Sequence, residues 1–257
     1  MTCPHSSRYS LVPDSDRKRV EYQRNFLINP LPPGDGICAV CRGPAGRGYE
    51  LCYQCSEHRT AAEGMLADVV APIAYAVDPT KAIKDHQHVG TLSHKSHKGR
   101  QHAHNLYNYK SRVITESTIR ARVNLSSLVA VYLARHWDCF VKVTGGEFSH
   151  IVTVPSTKNR PGIHPLEQIV TNRIRLSVIR PAVNPDCTAD PREFSRDRFR
   201  LPEGSVDGAR ILLIEDAWVS GSRAQSLAFT LKAAGAACRG DTSTGDNSRG
   251  VSREGKI

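Results

Sequence analysis

The chain lacks any apolar run long enough to cross a membrane. A membrane-spanning helix needs about 18 or more consecutive apolar residues, and no stretch of the 257 residues comes near that length. The first twenty residues also lack an apolar core, with Cys3, Pro13 and Asp14 among them, which argues against a secretory signal. We therefore expect a cytoplasmic protein with no membrane span.

Acidic residues are in the minority, and charge of either sign is not gathered into blocks. The 35 Lys and Arg residues against 25 Asp and Glu residues give a formal net charge of +10. Such a balance favours phosphate-rich partners, either a nucleic acid or a pyrophosphate compound. Because the charge is spread along the chain, an ordinary basic surface would explain it equally well.

Only four of the eight cysteines show a regular spacing. They form two Cys-x-x-Cys pairs separated by ten residues: Cys38, Cys41, Cys52 and Cys55. In a cytosolic chain this pattern indicates a tetrahedral zinc ribbon, while a redox dithiol or four free cysteines remain as alternatives. His58 could replace one ligand, or it could be a surface histidine. Four thiolates leave no open position for a substrate, so we expect the zinc to be structural.

The composition predicts four regions. They are a polar N-terminal segment and linker (1–35), the zinc ribbon (36–62), one α/β domain (63–238) and a disordered tail (239–257). Inside the domain, residues 85–104 are rich in His and Lys. We expect them to form a flexible insertion, with metal or anion binding as the alternative.

Alternating strand and helix patterns predict an open, mainly parallel sheet with helices on both faces. The predicted strands are 69–77, 148–154 and 211–214, and the predicted helices are 16–26, 116–137 and 165–177. His136 lies on the apolar stripe of the second helix, and we expect it near the end of that helix.

The most informative stretch is a strand, an acid pair, a loop and a helix in unbroken order. Ile211–Ile214 reads as a strand buried on both faces; Glu215 and Asp216 close it. Loop amides at a helix N-terminus suit a phosphate, and two carboxylates suit a pair of hydroxyls or a hydrated Mg²⁺. Together these groups describe a site for a ribose 5-phosphate, although solvated acids before a simple turn would give the same pattern. The loop residues are Val219, Ser220, Gly221, Ser222 and Arg223.

Two further basic segments can converge on that site. A turn after the 148–154 strand carries Lys158 and Arg160, which would face an anionic leaving group. The segment 192–200 contains Arg192 and Arg196, which would form a lid over a pyrophosphate. The alternatives are solvated loop cations in the first segment, and a nucleic-acid contact strip or a basic strand pair in the second.

The loop resembles the PRPP-binding loop of type I phosphoribosyltransferases, where PRPP is 5-phosphoribosyl 1-pyrophosphate. That loop usually reads strand, Asp-Asp, two residues, Thr-Thr-Gly-x-Thr. Glu215 and Asp216 match the acids, and Ser220 and Gly221 match the second Thr and the Gly. Val219 and Arg223 depart from the pattern, which puts the strength of phosphate binding in doubt.

With the ribbon and the basic segments in this order, residues 36–236 resemble ComF-like proteins, a zinc ribbon fused to an amidophosphoribosyltransferase-like domain. A weaker match is Leu106-Tyr107-Asn108-Tyr109-Lys110. The resemblance implies a phosphoribosyltransferase fold that binds PRPP with Mg²⁺ and transfers the phosphoribosyl group to a nitrogen nucleophile, releasing pyrophosphate. For some members it implies instead a non-catalytic link to DNA uptake, here with single-stranded DNA as partner.

The C-terminal end departs from the family pattern. The fold calls for one more apolar strand after Cys238, but residues 239–257 are too polar to supply a buried one. We therefore expect the last sheet strand to be missing, and a homodimer that exchanges elements is one way to cover the gap. The sequence does not identify the acceptor substrate.

Overall fold

The computed structural model describes residues 7–76, 100–156, 162–204 and 206–237. At its centre lies a parallel sheet of three strands in the order β2-β1-β5. A separate antiparallel pair is formed by β3 and β4. The strands are β1 (His150–Thr153), β2 (Ser177–Ile179), β3 (Ala182–Val183), β4 (Phe199–Arg200) and β5 (Ile211–Ile214).

A short 3₁₀ helix and six α-helices are described around the strands. They are the 3₁₀ helix Ser7–Leu11, α1 (Asp14–Gln23), α2 (Tyr53–Ala61), α3 (Arg100–Asn108), α4 (Glu116–Thr144), α5 (Pro165–Thr171) and α6 (Ser222–Ala233). Among the described helices, none combines the length and the apolar character that a bilayer crossing requires.

The sheet is covered on both faces because alternate side chains of a strand point to opposite sides. Ile151 packs with Leu125 of α4 and Val170 of α5 in one core cluster. The next residue, Val152, packs with Leu227 of α6 in the other cluster. The prediction of an α/β protein with a parallel sheet between helices is therefore confirmed, while the phosphoribosyltransferase topology stays a prediction.

Strand β5 lies at an edge of the described sheet. Ile211–Ile214 was predicted to be fully buried, but all four residues are only half-buried. The reason is that β1 is their one strand neighbour in the described part of the chain. After α6, the Ala237 amide donates to the Ala209 carbonyl over 3.0 Å, where the described chain ends. The tail predicted at 239–257 lies outside the described residues.

The long helix α4 continues past the predicted end at Trp137 to Thr144. It begins where the Thr115 hydroxyl accepts a hydrogen bond from the Thr118 amide (3.2 Å), and it ends at Gly145, whose φ is +80°. Gly145 is a left-handed helix cap, which glycine adopts at no steric cost. His136 therefore lies inside the helix, not at its end as predicted, with its ring 4.8 Å from that of Tyr132.

One predicted strand is wrong, and the described end of the predicted insertion is helical. No strand forms over the described residues of 69–77; Tyr75 makes a single bridge to Ile28, because Pro72 lacks the amide that a strand ladder needs. Residues 100–104, predicted to end the flexible insertion, belong to α3. The rest of that insertion, 85–99, lies outside the described residues.

Helix α1 is anchored by a buried carboxylate that the sequence analysis did not single out. Asp16 is 6% exposed. It accepts hydrogen bonds from Ser127 Oγ of α4 (2.6 Å) and from Arg173 Nη1, just after α5 (2.8 Å). One side chain thus ties three segments together, and its neighbours would be left unsatisfied without it.

We expect Asp16→Ala to lower the free energy of unfolding by about 2–3 kcal/mol, because Arg173 and Ser127 lose their acceptor in a buried site. Urea denaturation monitored by circular dichroism measures this change. Asp14→Ala is the matched control, since Asp14 lies on the same helix and its ion pair with Arg17 is exposed. Equal stability losses in the two variants would contradict the prediction.

Candidate functional site

The four predicted zinc ligands form one cluster. The sulphur atoms of Cys38, Cys41, Cys52 and Cys55 all lie within 4.8 Å of one another. Cys41 Sγ and Cys52 Sγ are 3.8 Å apart, close to the separation of about 3.8 Å that a tetrahedron with Zn–S bonds of about 2.3 Å requires. Cys38 and Cys55 are buried. The cluster could hold a zinc ion.

The local backbone explains how the two pairs meet. In the first pair, the Cys38 amide donates to the Gly43 carbonyl (2.8 Å), and the Gly43 amide donates to Cys41 Sγ (3.4 Å). In the second pair, Cys52 is the N-cap of α2 and Cys55 lies in its first turn. A tight turn and a helix start therefore present two sulphurs each to a common centre.

The thiol groups of the cluster differ in pKa because they hydrogen-bond to one another. Hydrogen bonding with Cys41 and Cys55 lowers the pKa of Cys52 to about 2. Hydrogen bonding with Cys52 raises the pKa of Cys41 to about 12, and hydrogen bonding with Cys41 raises that of Cys55. Zinc is bound by deprotonated cysteines, so a metal ion at this cluster would displace the thiol protons.

The acid pair lies at the carboxyl end of β5, and each carboxylate is paired with a cation. Glu215 Oε1 lies 3.0 Å from Arg223 Nη2, and Asp216 Oδ2 contacts Lys110 Nζ and accepts from the Tyr109 hydroxyl. Both acidic side chains are 8% exposed. Glu215 Oε2 is buried and accepts no hydrogen bond from the described residues.

The pKa values of the two carboxyl groups are shifted in opposite directions. Burial raises the pKa of Glu215 to about 7, although Arg223 acts against the rise. Burial acts in the same direction on Asp216, but the charge of Lys110 and the hydrogen bonds from Lys110 and Tyr109 outweigh it and lower the pKa of Asp216. Near neutral pH, Asp216 is therefore ionised, whereas Glu215 is partly protonated.

The loop after the acids turns sharply at Gly221. Gly221 has a φ of +78° and precedes the first residue of α6, and a Cβ there would overlap the ring of Trp218. Ser220 Oγ donates to Ser222 Oγ (3.0 Å), and Ser222 Oγ in turn donates to the Pro191 carbonyl (2.9 Å). Glycine is thus required by both backbone conformation and close packing.

The loop borders a cavity of about 200 Å³ that most of the predicted site residues line. Glu215 forms one wall, and Arg192 reaches it from the segment between β3 and β4. The remaining lining residues are Pro191, Ala217, Val219, Ser220, Gly221, Ser222 and Arg223. The structure therefore brings the acid pair's first member, the loop and one predicted lid arginine to the same place.

Of the other predicted cations, Arg196 belongs to the described residues, and it does not line this cavity. Arg196 Nη2 donates to the Ala61 carbonyl (2.8 Å) and pairs with Glu63 (2.6 Å), at the end of α2. Lys158 and Arg160 lie outside the described residues.

Two contacts of the acid pair were missed by the sequence analysis. Tyr109 and Lys110 hold Asp216 from just beyond α3, although they occur in a segment already noted as a weak family match. Tyr109 is fully buried. A tyrosine followed by a lysine after an amphipathic helix carries no signal of its own, so only the fold reveals the contact.

Comparison of the chain with protein-family models, with curated proteins and with solved structures finds no match.

The raised pKa of Glu215 has a measurable consequence for stability. Because its pKa rises from 4.5 to about 7 on folding, the folded state binds more protons than the unfolded state in this range. The contribution of Glu215 to stability therefore decreases as the pH increases from 4.5 to about 7. Glu215→Gln lacks this loss, so the stability of the variant relative to wild type should increase with pH, by a total on the order of 3 kcal/mol.

Urea denaturation at several pH values between 4.5 and 8 tests this expectation. Glu116→Gln is the control, because it makes the same change at an 84% exposed side chain at the start of α4. Parallel pH profiles for Glu215→Gln and wild type would contradict the assignment.

Proposed function

We propose that this protein binds a phosphorylated sugar of the PRPP class, together with Mg²⁺, at the carboxyl end of β5. The observation that carries the proposal is the cavity of about 200 Å³ that Glu215, the Ser220–Arg223 loop and Arg192 line together. A buried carboxylate, a loop at a helix N-terminus and an arginine are the groups that a sugar hydroxyl, a phosphate and a pyrophosphate require.

In this proposal Glu215 and Asp216 bind the ribose hydroxyls, each through the carboxylate oxygen other than the one that pairs with its cation. Glu215 Oε2 has no hydrogen-bond partner in the described part of the chain, and Asp216 meets the Tyr109 hydroxyl and Lys110 Nζ through Oδ2. Mg²⁺ would be held mainly by pyrophosphate oxygens and water, as this ion prefers. The loop amides would bind the 5-phosphate, since the Ser222 hydroxyl is already bonded to the Pro191 carbonyl.

We further propose that the bound sugar reacts by phosphoribosyl transfer. A nitrogen lone pair would form the new bond to C1 while the C1–O bond breaks and pyrophosphate leaves with its electron pair. Catalysis would rest on positioning and on neutralising the leaving group, with Arg192 as the cation at the cavity. Release of pyrophosphate in the presence of a nitrogen nucleophile tests this step.

Calorimetry should detect binding of PRPP–Mg²⁺ to wild type, and Arg192→Gln should weaken it about tenfold or more, because charge-assisted hydrogen bonds are lost. The same substitution should weaken the binding of ribose 5-phosphate much less, because this ligand has no pyrophosphate. The matched control is Arg200→Gln, since Arg200 lies on β4 and pairs with Asp186 outside the cavity. Absence of heat for wild type, or equal losses in the two variants, would refute the proposal.

For the cysteine cluster we propose a zinc ion in a structural role. The four sulphurs would complete its tetrahedral shell, so no position would remain for a substrate.

A second candidate function is binding of single-stranded DNA, favoured by exposed aromatic side chains on the zinc ribbon. Tyr49 and Tyr53 are 71% and 73% exposed. Tyr49 and Arg42 line a second cavity, of about 350 Å³. Exposed aromatic rings beside cations are suited to stacked bases and their phosphates.

If DNA binds there, the affinity for an oligonucleotide should fall steeply with salt. Tyr49→Ala should weaken binding by about one to three kcal/mol, the value of one stacked base, in a fluorescence anisotropy titration. Tyr22→Ala serves as control, because Tyr22 is equally exposed but lies on α1. No binding at low salt, or equal effects of the two substitutions, would exclude this function.

A further inference from the structure

We propose that the zinc ribbon positions the segment that carries Arg192, so that metal binding at the cysteines controls the geometry of the β5 cavity. This segment, residues 184–198 between β3 and β4, is called the arginine arm below. The coupling does not depend on which ligand the cavity binds, and only its consequence for binding rests on the proposed function.

The arm contacts the ribbon helix at two points. Arg196 donates to the Ala61 carbonyl through Nη2 (2.8 Å) and Nε (3.1 Å), and Nη2 also pairs with Glu63 Oε1 (2.6 Å). Phe194 lies with its ring 6.1 Å from that of His58, which is 2% exposed on α2. The C-terminal half of α2 is therefore part of the surface against which the arm rests.

The opposite side of the same stretch packs on α6. The rings of Phe194 and Phe229 meet edge to face at 5.8 Å, and the Ser195 amide donates to Ser226 Oγ (2.9 Å). Residues 194–196 are thus held between α2 and α6. Loss of α2 would remove one of the two surfaces that hold them.

A hydrogen-bonded turn connects residues 194–196 of the arm to Arg192. The buried guanidinium of Arg198 donates to the carbonyls of Asp190 and Glu193, both at 2.7 Å, and so closes the turn that contains Arg192. The Pro191 carbonyl accepts from Ser222 Oγ, which docks this turn on the loop at the cavity. A displacement of residues 194–196 therefore moves the cavity wall.

Metal binding affects the arm because the folding of α2 depends on the cysteines. The helix has nine residues, with Cys52 as its N-cap and Cys55 in its first turn. Isolated helices shorter than about 12 residues are marginal in water, and a structural zinc site supplies folding energy directly. Without metal, α2 would lose its anchor, and Ala61 and His58 would no longer support the arm.

Hydrogen–deuterium exchange of the full chain, with its bound metal and after removal of the metal by a chelator, tests the proposal without any ligand. In wild type, removal should accelerate exchange of peptides covering 187–198 about tenfold or more. Peptides from α4 should not change, and those covering residues 38–61 report that the metal has left.

Arg196→Gln removes the main contact with α2 and leaves the cysteines intact. With metal fully bound, the arm of this variant should already exchange fast, and metal removal should add little. Arg200→Gln loses the same charge at the edge of the arm without touching the ribbon, so it should respond like wild type.

Three results would overturn the proposal: an arm that does not respond to metal removal in wild type, a full metal response in Arg196→Gln, or a purified protein that contains no metal. A failure of PRPP to bind would refute only the proposed function, because the exchange measurement contains no ligand.

Discussion

The candidate site depends on the burial of two adjacent carboxylates at the end of β5. Glu215 and Asp216 are both almost fully buried, and buried charges are stable only when paired. The pairs come from different segments, with Arg223 at the start of α6 and Lys110 after α3. These two pairs therefore link the segment after α3 and the start of α6 to the carboxyl end of β5.

Asp216 has more charged and hydrogen-bonding partners than Glu215, and this difference gives the two carboxyl groups different pKa shifts. Asp216 has a lysine and a tyrosine hydroxyl on one oxygen, so the pKa of its carboxyl is lowered. Glu215 has one arginine and an oxygen without a partner among the described residues, and burial raises the pKa of its carboxyl. One acid thus anchors the site, while the other keeps hydrogen-bonding capacity at a cavity wall.

The sequence allowed prediction of the features that are local in the chain. Two Cys-x-x-Cys pairs meet because each pair sits on one turn, and the strand, acid pair and loop of 211–223 are continuous. Contacts between distant residues could not be predicted: Tyr109 and Asp216 are 107 positions apart, and Asp16 and Arg173 are 157 apart. Over the described residues of 69–77 the apolar pattern favoured a strand, but Pro72 lacks the amide that a strand ladder needs.

Arg192 and Arg196 are the same residue type, but Arg192 lines the cavity and Arg196 contacts the end of α2. Both were predicted as lid cations, and they lie on the same short arm with a single turn between them. Arg192 follows a proline whose carbonyl is bonded to Ser222, and it lies at the cavity. Arg196 follows Phe194 and Ser195, which pack on α6, so its side chain extends over the Phe229 ring to the end of α2. The neighbours of each arginine, and not its charge, decide whether it meets the cavity or joins the zinc ribbon to the sheet.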